Sequence, residues 1–131
     1  MILVLDASAA AEIVMRRNQA ERFREATAEA EVVTVPDLYF CEIANLFWKY
    51  AHFAHVDAEQ CAAALRVAAA LPDESVSAPD LSIECFNAAC HLSHPAYDMF
   101  YLVLARRRGA HLATLDKKLL ALCREQGVQT I

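Results

Sequence analysis

Glycine and proline are scarce in this chain, two and four residues in 131, which excludes collagen-like repeats, low-complexity linkers and loop-rich scaffolds. Long apolar runs are missing as well. The stretch Ala62–Leu71 is interrupted by Arg66 and falls short of the ~18–20 residues that span a bilayer. The opening MILVLD stops at Asp6 and lacks the basic start and extended apolar middle of a secretory leader. A soluble, cytoplasmic protein with no membrane association is expected. Its cysteines form no C-x-x-C pair and number five (Cys41, Cys61, Cys85, Cys90, Cys123), so neither a disulfide framework nor a zinc or redox site is indicated. They read as reduced thiols. An excess of basic charge is also absent. A net charge of −5 argues against a surface that grips nucleic acid by bulk electrostatics, so nucleic-acid chemistry here would need metal ions.

What is present is a large apolar fraction, 57%, against 22% charged residues, enough for a substantial core. The length suits one domain spanning residues 1–131, with no linker to divide it. Short apolar runs alternate with longer helical stretches, the pattern of an α/β fold with a central, mostly parallel sheet flanked by helices. Five strands are predicted: Ile2–Leu5, Val32–Val35, Val76–Ala78, His111–Thr114 and Val128–Thr130. Helices are predicted after Ser8 and over Ala20–Glu29, Leu38–Ala54, Ala58–Leu71, Leu81–Leu92, Ala96–Arg108 and Lys117–Gln126. Asp57 with Gln60 reads as a capping box, Asp80 and Asp116 as caps, and Gly109 and Gly127 as helix-terminating glycines.

Four acids carry the functional argument. Asp6 directly follows the first strand and Asp116 lies two residues past the fourth, and ligands of open parallel sheets bind beyond the carboxyl ends of strands. Glu42 and Asp98 sit near the starts of apolar helices, in YFCEIANLFWKY and AYDMFYLVLA, with no basic partner one turn away in their own helices. One such acid is explained by the helix dipole. Four of them, two embedded in apolar runs, are harder to explain as independent caps. Hard oxygen ligands of this kind select Mg2+ or Mn2+, and a carboxylate-held ion suits phosphodiester hydrolysis.

In order along the chain, LDAS, EIAN, YDMFYLVLA and LATLDKKL resemble the motifs of PIN domains, and among those the VapC toxins. The resemblance spans nearly the whole chain. It implies a three-layer fold, a metal-dependent endoribonuclease acting on RNA phosphodiester bonds, a homodimer, and a cognate antitoxin as partner. Carried over by position, it implies a catalytic set of Asp6, Glu42, Asp98 and Asp116. Asp6, Asp98 and Asp116 would hold Mg2+ or Mn2+, with Ser8, Asn45 and Thr114 in support.

Lys117 and Lys118, beside Asp116, are candidates for RNA-backbone contacts. Arg106, Arg107 and Arg108 end a helix, where positive charge is favoured without any ligand. The pairs His52/His55 and His91/His94 mimic a metal pair in spacing but read as surface or packing residues. Helix 38–54 concentrates Tyr39, Phe40, Phe47, Trp48, Tyr50 and Phe53, too many for one face, so some of these rings are a candidate partner surface. Two rival functions remain. An aspartate-based phosphohydrolase would use Asp6 as nucleophile, but Ser8 stands where a second acid is wanted. A non-catalytic PIN-like binding module for RNA or protein would not need all four acids.

Overall fold

A computed structural model describes all residues from Met1 to Ile131. Four strands, β1 (Ile2–Leu5), β2 (Val32–Pro36), β3 (Glu74–Val76) and β4 (His111–Ala113), form one parallel sheet in the order β3-β2-β1-β4. Seven helices complete the chain: α1 (Ala7–Val14), α2 (Ala20–Glu29), α3 (Leu38–Phe53), α4 (Ala58–Ala69), α5 (Ala78–Leu92), α6 (Ala96–Arg108) and α7 (Lys117–Gln126).

Both faces of the sheet are covered, and the strand pleat divides the core in two. Leu3, Leu5, Val33 and Val35 face α1, α2, α3 and α4, where Phe23, Tyr39, Ile43, Phe47 and Cys61 pack. Val4 and Leu112 face α5, α6 and α7, where Leu81, Cys85, Leu102, Leu119 and Cys123 pack. Full burial of each such Leu, Ile or Phe contributes roughly 1.5–3 kcal/mol. Helix α6 is buried almost all round from Met99 to Ala105, except at Phe100, because it lies between the sheet and its neighbouring helices.

Three expectations are corrected. The sheet has four strands, not five: the segment predicted as Val128–Thr130 forms only a single parallel bridge, Leu112 to Thr130. Two backbone bonds flank it, Leu112 N–H to Gln129 at 2.9 Å and Ile131 N–H to Leu112 at 3.1 Å. Only Val128 there is buried, with Gln129 and Thr130 exposed, so too little apolar surface holds a longer ladder. The third strand falls at Glu74–Val76, two residues before its predicted place, because Ala78-Pro79 opens α5. Proline is pre-organised for a first helical turn, and the Asp37 carboxylate accepts from the Ala78 N–H at 3.0 Å. Asp80 therefore lies inside the first turn of α5 and is not its cap. Gly109 and Gly127 do terminate helices, at φ +57° and +71°.

Candidate active site

β1 pairs with β2 on one side and β4 on the other, so strand order reverses at β1 and opens a crevice beyond its carboxyl end. Asp6 enters that crevice from the end of β1 and Asp116 from the loop after β4. Glu42 arrives from the first turns of α3 and Asp98 from the first turn of α6. All four acids line one cavity of about 340 Å³, together with Ser8, Asn45, Lys49 and Tyr101.

Asp6 is the most constrained. It caps α1, with Oδ1 accepting from the Ala9 N–H at 2.9 Å and from Ser8 Oγ at 2.7 Å, while Oδ2 accepts from the Thr114 hydroxyl. Both hydroxyls also accept from backbone, Ser8 from Leu115 N–H at 2.9 Å and Thr114 from Asp116 N–H at 3.0 Å. Asp6 is thereby tied on both oxygens to the β4–α7 loop that carries Asp116. Asp116 in turn caps α7, its Oδ1 accepting from Lys118 and Leu119 N–H groups at 2.8 and 3.0 Å.

Glu42 Oε1 accepts a 2.7 Å bond from the hydroxyl of Tyr101, one turn beyond Asp98 on α6. Asp98 Oδ2 lies 3.5 Å from His94 Nε2, just outside the helix. His94 therefore touches the site, and its reading as a surface or packing residue is incomplete. Asn45 lines the cavity without a hydrogen bond to protein. Lys118 lies near enough to favour ionised Asp98, but neither it nor Lys117 lines the cavity. The lysine that does is Lys49, two turns along α3 from Glu42.

The electrostatics follow from this crowding. Burial pushes the Asp6 carboxyl up to about 6, against three hydrogen bonds that favour its charge, and Asp116 pushes the same way. Burial also raises Glu42, with Tyr101 opposing and Asp6, Asp98 and Asp116 adding to the rise. Asp98 is raised by burial and by Asp116, with His94 and Lys118 opposing. The cluster thus carries more negative charge than the protein compensates. As the side chains stand, no three His, Cys, Asp or Glu groups converge closely enough to hold an ion. The donor set itself, carboxylate oxygens in uncompensated proximity, fits a hard divalent cation.

Arg106, Arg107 and Arg108 lie outside the crevice and hold the fold: Arg106 and Arg107 pair with Glu84 at 3.5 and 2.6 Å, and Arg108 pairs with Glu74. Of the polar residues that line the crevice, sequence reasoning missed Tyr101 and Lys49. Lys49 was signalled by its i+7 spacing from Glu42, whereas the i+3 spacing of Tyr101 from Asp98 is equally that of a core residue in an apolar helix.

The chain is 29% identical over 123 residues to Ribonuclease VapC3 of Pyrobaculum aerophilum, covering 91% of this chain and 92% of that protein. The crystal structure of PAE2754 from Pyrobaculum aerophilum superposes with a TM-score of 0.76 at 23% identity, covering 99% of this chain and 83% of the other, and shares the fold. The family model for the PIN domain matches residues 3–125, and with that match the chain belongs to the PIN-domain family.

Proposed function

We propose that this protein is an Mg2+- or Mn2+-dependent endoribonuclease and the toxin of a cytoplasmic toxin-antitoxin pair, working as a homodimer restrained by a small antitoxin protein. One observation carries the reading: Asp6, Glu42, Asp98 and Asp116, from four separate elements, line a single crevice, in which burial raises Asp6, Glu42 and Asp98 toward protonation and Asp116 adds to each rise. The likeness to a protein named as a ribonuclease supports RNA as substrate.

In this reading Asp6, Asp98 and Asp116 hold the cation. A divalent ion there supplies positive charge against the scissile phosphate and makes a nearby water easier to deprotonate. The protein does the rest. Ser8 and Thr114 keep Asp6 fixed in rotamer, so its carboxylate need not reorganise when substrate arrives. Tyr101 leaves Glu42 Oε2 free to orient the attacking water. Lys49 and Lys118 offset phosphate charge at an otherwise acidic crevice.

The test is cleavage of a mixed RNA pool by purified protein with Mg2+, Mn2+ or EDTA, beside Asp6→Asn and Asp98→Asn variants checked for folding. Metal-dependent cleavage lost in both variants is expected. Equal cleavage by all three proteins, or RNA binding without cleavage in any metal, overturns the reading, the second outcome in favour of a binding module.

A further inference from the structure

The second half of α3 bears a cluster of rings that the crevice chemistry leaves unused. Trp48 stacks on His52 with centroids 4.9 Å apart and planes 10° from parallel, and Phe53 meets both edge-on at 5.7 and 4.6 Å. Trp48 is 53% exposed and Phe53 67%, so the cluster presents its rings to solvent and not to the core. Lys49 lies within this segment and also lines the acidic crevice. No carboxylate in the molecule pairs with it. Glu42, Asn45, Lys49, His52 and Phe53 follow the i, i+3, i+7, i+10, i+11 spacing of one helix side. With a rise of ~1.5 Å per residue, Trp48 stands ~9 Å, Lys49 ~10 Å and His52 and Phe53 ~15–17 Å along the axis from Glu42, Trp48 lying beside that row and joining it through its stack on His52.

We propose that this side of α3 is a track for single-stranded nucleic acid leading into the crevice. Lys49 neutralises a backbone phosphate at the crevice margin, and the Trp48–His52–Phe53 cluster beside it stacks bases of the strand. The inference rests on the nuclease reading for the direction of the strand and adds how the substrate is held. Its ingredients are those of sequence-tolerant single-strand binding: an unpaired cation beside exposed aromatic faces. Continuity with the crevice favours nucleic acid over a protein partner. The apolar dent on the other flank of Trp48, about 200 Å³ between α3 and α4, shares no residue with the crevice. In a chain of net charge −5, a free lysine in an acidic crevice is one of few places where a phosphate is welcome.

Trp48 is the sole tryptophan, so its fluorescence reads this surface alone. Wild-type protein is titrated with an end-labelled, unstructured oligouridylate in EDTA, following tryptophan emission and label anisotropy together. Quenching is expected on binding. Trp48→Ala should weaken binding about tenfold while Trp48→Phe keeps it within about twofold. Lys49→Ala should lower the slope of log affinity against log salt by roughly 0.7. Unquenched emission with Trp48→Ala binding as wild type overturns the track. So does a Trp48→Ala variant altered only in sedimentation, which marks the rings as a protein interface. Manganese-dependent cleavage separates the two claims: quenching without cleavage supports the track and sinks the nuclease reading, and cleavage without quenching does the reverse.

Discussion

Asp6 ends the first strand, caps the first helix and lines the crevice, and its energetics reflect all three positions. Its carboxyl titrates near 6 in the folded chain, above the ~3.9 of an unfolded aspartate, so the folded state holds that proton more tightly. The favourable contribution is complete below pH ~4 and is lost as pH climbs through about 6, a swing of order 2–3 kcal/mol. Glu42 and Asp98 shift in the same direction. In EDTA, the urea midpoint should be higher at pH 5 than at pH 7.5, and Asp6→Asn should flatten that difference; an unchanged difference would refute the assignment. Tyr101→Phe removes the one hydroxyl that fixes Glu42. It should lower kcat about tenfold with KM little changed, and have no further effect in a Glu42→Gln background. An equal loss in both backgrounds would mean Tyr101 acts through packing alone. Thr34 is fully buried on β2 with an unpartnered hydroxyl, and lies outside the crevice lining. Thr34→Val should raise stability by about 1 kcal/mol without altering cleavage, measured by thermal melting and RNA assay.

At the scale of elements, the carboxyl ends of β1 and β4 place the acids, and helix ends set the register of those strands. Gly109 stops α6 in a left-handed conformation and turns the chain into β4, four residues before Ala113 and five before Thr114. A Cβ there meets nothing within 4 Å, so the cost of Gly109→Ala is conformational. It should be about 1 kcal/mol, a fall of roughly 3–5 °C in Tm. A drop much larger than that would mean the turn also strains β4. These ends were largely legible in the sequence, because glycine, proline and capping acids act over three or four residues. The fifth strand and the third were misplaced for the complementary reason. Strand existence depends on a partner's edge and on burial at both faces, and neither Gln129-Thr130 nor Ser77-Ala78 declares that locally. The four acids were legible from their places at strand and helix ends. Tyr101 was not, since a buried phenol in an apolar helix looks like core until a carboxylate on another helix is seen to reach it.

On the scale of the whole molecule, no helix is long and apolar enough to cross a membrane, and the sheet separates the two apolar halves of the core. A cation bound by the crevice acids should stabilise the folded chain by mass action, about 2.7 kcal/mol at a hundredfold excess over Kd. At pH 8, Mn2+ should therefore raise Tm reversibly with EDTA, and Asp6→Asn with Asp98→Asn should abolish the rise. A Tm indifferent to Mn2+ in the native protein would argue against the proposed ion site. The division of the core also leaves the molecule with its own clocks. Cys61 is buried on one side of the sheet and Cys85 and Cys123 on the other, while Cys41 and Cys90 are exposed. Burial pushes the Cys85 and Cys123 thiols up to about 11, so in the closed state they are shielded both sterically and chemically. A thiol reagent added under native conditions will consume the two exposed cysteines at once. The three that follow will then report, separately for each layer, how often that side opens to solvent.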